Sequence, residues 1–494
     1  MLEYVCFIIS SFLFAYRIRM LVFLHSAWSQ NSESDTIARQ LPILSTLALE
    51  NDSVSIPVTI NENLISHDHL MYPAIQLNEQ SNNYKIVNNE SGKNSNYLEL
   101  NSPRNSDHRL DPVVSVIVAT NNEEEVIERL LKSLEMLTYS QDRFEVIVVD
   151  DSTDSTTKIL EKWTNKMKNL SIVIRKQRIG SKGGALNLAL QSLREDSAWV
   201  IIIDADTILP PDIIEQFLIR LGSSQDEYQA IQGYCIPYNS SLNPNTGCAN
   251  WISRGIEFRL AQRNMIEFVA RRNLGLPAQI TGNLFMIKTS ILKQVGFSTD
   301  ICEDWDLTLD LYLREHDSGI TNANVLFDET LNARNQAPVS LISYFNQRLR
   351  VSEGHTRGFI KMIPRLILLK QPLKNKIEIF LTGSRYLRYL LILTVILLDF
   401  IGLSLAGSNR LNIYLIISLA IQFSGIGIFI LVNGLGLLIC RKSVNYNLTF
   451  LMSEVILEIC VSPALILGSL LAIFRKKGSF HRTQRIGSKA RNII

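Results

Sequence analysis

Between Pro112 and Ile203 short apolar runs alternate with stretches of helical spacing, and this alternation constrains the fold more than any other feature of the chain. Val113–Ala119, Phe144–Val149, Ile172–Ile174 and Trp199–Ile203 read as buried strands. Glu123–Leu137, Ser155–Met167 and Gly184–Leu193 place apolar residues at helical intervals. Strands separated by helices pair in parallel, because each helix carries the chain back along the sheet, so βαβ units and an α/β fold are expected. Ligands of such sheets bind outside the carboxyl ends of the strands. Two acidic clusters stand at those ends, Asp150-Asp151 and Asp204-Ala205-Asp206.

The second constraint comes from the other end of the chain. Apolar runs over about 386–406, 411–440 and 446–474 are each long enough to span a bilayer, which takes about 20 residues. The chain is 46% hydrophobic over 494 residues, with a mean hydropathy of +0.11. Residues 356–383 mix apolar positions with Arg357, Lys361, Arg365, Lys370, Lys374 and Lys376, the pattern of amphipathic helices on an anionic membrane face or of ordinary surface helices. Arg385, Arg388 and Arg441-Lys442 favour a cytoplasmic side for their loops, and so does the basic tail. Three full spans cannot satisfy all of these, whereas one broken or re-entrant run, marked by Gly425, Gly427, Gly434 and Gly436 or by Pro463, would. An integral membrane protein with a cytoplasmic catalytic domain is expected.

Residues 1–28 read as an N-terminal membrane anchor, with an interfacial helix or a signal peptide as alternatives, and 29–110, rich in Asn and Ser, as a disordered linker. The formal charge of +2 implies no nucleic-acid partner. Six cysteines without a C-x-x-C pair argue against a disulfide framework or a zinc site. The remaining expected divisions are a catalytic domain over 111–355, interface helices over 356–384, about three spans over 385–474 and a basic tail over 475–494.

Several residue groups suggest chemistry. Asp204 and Asp206, one residue apart at a strand end, can together hold a hard divalent cation, and a solvated turn is the plainer alternative. Asp150 and Asp151 can accept hydrogen bonds from a base or ribose, while Asp154 or Ser155 caps the following helix. Gly180-Ser181-Lys182-Gly183-Gly184 opens a helix where a backbone could approach a nucleotide, with Lys182 adding charge, although the spacing is not that of a phosphate-binding P-loop. Glu303-Asp304, beside Trp305, suits a partly desolvated base or a pair of helix-start acids. Gln347-Arg348-Leu349-Arg350 offers guanidinium groups to a diphosphate or to lipid headgroups.

Taken together, residues 112–355 resemble the family 2 glycosyltransferases, in the membrane branch that includes cellulose and hyaluronan synthases. The stretch from Pro112 through Thr120, Asn122 and Glu123 is similar to that family's opening strand and nucleotide loop. Asp151 matches its nucleotide acid, Lys182–Asn187 its K-x-G-A-L-N segment, and Asp204 and Asp206 its D-x-D. Thr281-Gly282-Asn283 matches an acceptor-side segment, Glu303-Asp304 the T-E-D motif, and Gln347 and Arg350 the Q-x-x-R-W motif. The resemblance implies a GT-A type nucleotide-sugar domain and a Mg2+ or Mn2+ cofactor. It further implies a UDP- or GDP-hexose donor and inverting transfer with Asp304 as base. A growing β-linked polysaccharide is the acceptor it implies first. Phe480–Arg485 is faintly similar to the family's gating loop. Two positions depart from the pattern: Cys302 stands for the T-E-D threonine and Val351 for the Q-x-x-R-W tryptophan. Loss of that aromatic platform keeps transfer of a single sugar to a membrane lipid open as an alternative, and an inactive scaffold as a remote one.

Overall fold

A computed structural model describes residues 9–29, 111–175, 180–222, 228–239, 251–313, 324–368, 371–406, 413–440 and 446–475. The expected linker over 29–110 apart from its first residue, the gating-like segment, and the basic tail from 476 onward lie outside the described residues.

The sheet is α/β, as the alternation requires, and has seven strands in the order β3-β2-β1-β4-β6-β5-β7. They are β1 (Val113–Thr120), β2 (Phe144–Asp150), β3 (Leu170–Ile174), β4 (Ser197–Asp204), β5 (Ala230–Pro237), β6 (Phe285–Lys288) and β7 (Val325–Asn335). The first four are parallel neighbours, linked by α2 (Ile127–Glu135), α3 (Thr156–Thr164) and α4 (Lys182–Leu190), with a helix α1 over residues 9–29 ahead of them. Against the all-parallel expectation, β6 runs antiparallel to both β4 and β5. The reason is connectivity: α5 (Ile213–Gly222), β5, α6 (Trp251–Gln262), a π-helical turn (Arg263–Phe268) and α7 (Val269–Asn273) intervene, and the chain re-enters the sheet from the opposite end.

Two apolar cores lie on the two faces of this sheet. Val114, Val116, Val118, Val146, Val148, Ile201 and Ile203 point to one, and Ile117, Ile147, Val149, Val200 and Ile202 to the other, the period-two division of strands buried on both sides. Beyond β6 follow α8 (Thr289–Val295) and α9 (Glu303–Leu313), and after β7 come α10 (Leu341–Leu368) and α11 (Leu373–Gly383). α10 is continuous, so the boundary expected at residue 355/356 falls inside one helix.

The three apolar runs form α12 (Leu387–Ala406), α13 (Ile413–Cys440) and α14 (Leu448–Phe474). Among the described residues one helix, α14, has the length and apolarity to cross a membrane. It also packs closely against the catalytic domain. A Cβ at Gly468 would come within 2.6 Å of the Leu349 carbonyl on α10, and one at Gly255 on α6 within 2.8 Å of the Ser453 carbonyl on α14. Ser352 Oγ donates to the Leu465 carbonyl at 2.7 Å across the same seam. Small residues thus let these backbones approach each other.

Candidate active site

A single cavity of about 870 Å³ opens at the carboxyl ends of β1, β2 and β4 and continues between α9, α10 and the apolar helices. Its sheet side is built from strand ends and their following turns. Thr120 ends β1 and donates to Asp150 Oδ1 at 2.9 Å; Ser152 and Thr157 donate to the same carboxylate. Asp150 is thereby turned inward and buried, and Asp151 faces the cavity, paired with Arg175 and accepting from Asn121 Nδ2 at 2.8 Å. Asn122, at φ +59°, sits beside the wall, where its Oδ1 accepts from the backbone N–H groups of Thr153 and Asp154. Thr120 and Glu123 line the cavity.

Asp204 and Asp206 both line it. Their turn is clasped from β6's side: Asn283 Oδ1 accepts from the Asp204 backbone N–H at 3.0 Å and its amide exchanges hydrogen bonds with Thr207. Asp206 Oδ2 accepts from the Gln336 N–H at 3.2 Å. Lys182 Nζ lies 2.5 Å from Asp204 Oδ1, donates to the Gly282 carbonyl at 2.6 Å and stands 3.8 Å from Glu303. Burial works to lower the Lys182 pKa, but Asp204 and Glu303 outweigh it and hold the ammonium above its usual range. A cation therefore already sits on Asp204. No group of three His, Cys, Asp or Glu converges as a closed metal cage among the described residues. Two carboxylates suit Mg2+, which is commonly held by one or two acids together with substrate phosphates and water.

Two glycines bring Glu303 and Asp304 into place. Gly183 on α4 has no Cβ to collide with the Ser298 carbonyl, so the segment leading into α9 lies against α4 and sets Glu303 beside Lys182. The loop reads in sequence as an approach for a nucleotide, and here its Gly183 serves helix–loop packing. Gly282, at φ +75°, leaves room for Asp304, whose Oδ2 would lie 3.1 Å from a Cβ there. Burial raises both acids, Glu303 to about 7 and Asp304 above its ordinary value, with Lys182 and the Trp305 N–H pulling Asp304 part of the way back.

Gln347, Arg348, Arg350 and Val351 on α10 form the opposite wall, with Thr281, Gly282 and Asn283 between. The two departures from the family pattern touch: the Cys302 thiol donates to the Val351 carbonyl at 3.7 Å and packs against Gly354. Sequence reasoning missed Arg175, the clasp by Asn283, the Gln336 N–H, and the whole wall toward the apolar helices, which includes Tyr16 and Arg17 of α1, Arg259 and Arg263, and Tyr386 and Arg388. None of these has a local motif.

Comparison with known proteins supplies the relationship. The model for Glycosyl transferase family 2 matches residues 115–276, and that for Glycosyl transferase family group 2 matches residues 199–434. The chain is 26% identical over 271 residues to "Probable glycosyltransferase YdaM" of Bacillus subtilis (strain 168), covering 53% of this chain and 59% of the relative. It is 28% identical over 273 residues to "Beta-monoglucosyldiacylglycerol synthase" of Synechocystis sp. (strain ATCC 27184 / PCC 6803 / Kazusa), covering 54% and 53%. The chain thus spans little more than half the length of these curated relatives. Among solved structures, "Mannosyltransferase PcManGT from Pyrobaculum calidifontis in complex with GDP-Man and Mn2+" aligns at 19% identity and TM-score 0.49, over 75% of this chain and 90% of that one. With both family models falling on the segment that builds the cavity, the chain carries a glycosyltransferase family 2 domain.

Proposed function

We propose that the protein transfers a hexose from a UDP- or GDP-sugar, with inversion, to a hydroxyl of a membrane-borne acceptor, a lipid in the first reading. The observation that carries this is the continuity of one cavity from Asp204, Asp206 and Asp304 to an apolar end formed by Leu13, Ile392, Ile428, Phe429 and Val432. In this reading Asp151 and Glu123 receive the nucleoside. Gln347 and Arg350 face the diphosphate. Asp204 and Asp206 would hold Mg2+ or Mn2+ together with the donor's phosphates, and the ion supplies charge neutralisation for the leaving diphosphate. Asp304 accepts the proton of the acceptor hydroxyl while that oxygen bonds to the anomeric carbon. The bond from that carbon to the phosphate oxygen breaks, and the nucleoside diphosphate leaves with the electron pair. Its raised pKa suits Asp304 to the proton transfer, since a base works best when its pKa approaches the working pH.

Membrane embedding is part of the proposal. Phe400, Phe423, Ile430, Ile459 and Phe474 are exposed on α12–α14, as are Leu368 on α10 and Leu373 on α11, a larger apolar surface than a monomer ordinarily shows to water. Arg385 and Arg388 at the start of α12 favour a cytoplasmic catalytic domain.

The lipid reading is supported by Val351 in the place of an aromatic platform, by the apolar end of the cavity, and by similarity to a diacylglycerol glucosyl synthase. A growing polysaccharide is the second reading, favoured by Tyr344, Tyr386 and Tyr389 along the same wall. The test is product analysis with purified full-length protein in nanodiscs, Mg2+ or Mn2+, and a panel of labelled UDP- and GDP-sugars. Label in one organic-soluble species supports the lipid reading, and a ladder of rising mass supports the polymer. Asp304→Asn should lower either rate by about 10²–10⁴-fold. Transfer by that variant at the parent rate would remove Asp304 from its role.

A further inference from the structure

The membrane-side half of the cavity carries more positive charge than its acids offset. Arg385 pairs with Glu267 at 3.0 Å, and Arg259 pairs with Glu458. Three further arginines that line the cavity have no carboxylate in contact among the described residues. Arg263 makes a 3.4 Å hydrogen bond to the neighbouring Asn264 and lies over the Phe268 ring. Arg348 donates to the Tyr386 hydroxyl at 3.3 Å, lies over the Tyr344 and Tyr386 rings, and leaves its buried Nε without a hydrogen bond. Arg388 donates to the Tyr389 hydroxyl at 3.0 Å and lies over Tyr16.

These three come from the π-helical turn, α10 and α12, so their meeting is a property of the tertiary fold. The local field is strong enough to perturb its own members. Burial and the charge of Arg385 pull the Arg263 pKa down to about 10, which leaves it protonated at neutral pH. Burial works to raise the Tyr386 phenol, yet Arg348, Arg385 and Arg259 outweigh it and bring it below its ordinary value. Glu267 acts on Arg263, Glu458 on Arg348 and Arg388, and Glu454 on Arg388, but among the described residues none reaches salt-bridge distance of these three, and phosphate is an anion that the planar fork of a guanidinium matches directly. One cavity is lined by Asp304, by these arginines and by the apolar residues Leu13, Ile392, Ile428, Phe429 and Val432, and along α12 Ile392 follows Arg388 by about one turn. That combination complements a molecule that carries a hydroxyl, an anion and a hydrocarbon chain.

We propose that Arg263, Arg348 and Arg388 seat the phosphate of an anionic lipid acceptor, and that the sugar is added to a hydroxyl beyond that phosphate. The proposal rests on the lipid reading above and narrows it to a phosphate-bearing polyol headgroup.

The test uses full-length protein in phosphatidylcholine nanodiscs containing phosphatidylglycerol, or diacylglycerol as a hydroxyl acceptor without phosphate. The donor is the labelled sugar nucleotide that the panel above shows to be used. Phosphatidylglycerol is expected to be glycosylated with a kcat/KM at least about tenfold above diacylglycerol, the scale of one charge-assisted contact. Arg263→Gln and Arg388→Gln should erase that preference through the acceptor KM, and Arg388→Lys should restore part of it. Lys374→Gln removes an exposed charge on α11 outside the cavity and should leave the preference intact. Native mass spectrometry without donor should show retained phosphatidylglycerol in the parent protein and loss of it in the two glutamine variants. Equal use of both lipids, or a preference lost in Lys374→Gln as fully as in Arg263→Gln, overturns this inference and leaves lipid transfer standing. Label found only in a polymer, or in no product at all, overturns the lipid reading itself.

Discussion

The two halves of the cavity are built on opposite principles. The sheet side is acidic, and its polar groups are tied down: Asp150 by three hydroxyls, Asp204 by Lys182 and Asn283, Asp206 by the Gln336 backbone. The side toward the apolar helices is basic, and its guanidinium groups rest on rings and phenols. A half whose groups are already partnered is shaped before its ligand arrives and selects by geometry. A half with charge left over selects by electrostatics and completes itself with what binds. In the proposed function the first half receives the donor and the second the membrane-borne acceptor.

The contrast can be broken at its acidic end. Asp206→Ala removes one of two carboxylates available to a cation, and turnover should fall by about 10²–10³-fold, the usual cost of losing one electrostatic stabiliser. Steady-state rates over a Mg2+ and Mn2+ titration check this, and an unchanged metal dependence would take Asp206 out of the cation's surroundings.

A smaller effect probes the buried acid. Glu303 has a folded-state pKa raised from 4.5 to about 7, chiefly by burial. Its neutral form therefore contributes stability that is full below about pH 4.5 and is lost as pH rises through about 7. Glu303→Gln should raise Tm by a few degrees at pH 8 and leave it nearly unchanged at pH 4.5, as followed by thermal melts in detergent. A uniform shift at both pH values would mean that packing, and not charge, sets the effect.

The smallest change sharpens the comparison where the halves meet. Val351→Trp adds a ring to the cavity wall and leaves the backbone carbonyl that holds Cys302 in place. An aromatic contact of about 0.5–1.5 kcal/mol should lower the acceptor KM by roughly two- to tenfold. Initial rates against acceptor concentration measure it. A rise in KM would mean that the ring obstructs the acceptor's path.

Legibility follows the same division. Asp151, Asp204, Asp206, Lys182 and Asp304 each stand at a strand end or helix start, so periodicity and neighbouring residues disclosed them. Strand direction was not disclosed: Phe285–Lys288 has the residue pattern of a strand whichever way it runs. Gly183 was visible as a glycine, but whether its bare Cα faces a nucleotide or the Ser298 carbonyl depends on a segment more than a hundred positions away. The arginines of the membrane side are harder still. Arg263, Arg348 and Arg388 are separated by 85 and 40 positions and share no period, so only the packing of three helices reveals them as neighbours.

The unbroken course of α10 has a practical corollary. Its first half carries Gln347, Arg350 and Val351, its middle buries Ser352 through Phe359 against α9, α11 and α14, and its last turn exposes Ile367 and Leu368. A cut anywhere along it would expose faces made to be covered and would separate Gln347, Arg350 and Val351 from the packing that supports them. A fragment ending inside α10 is expected to lose stability, and trimming the hydrophobic helices is expected to remove packing that supports the cavity wall.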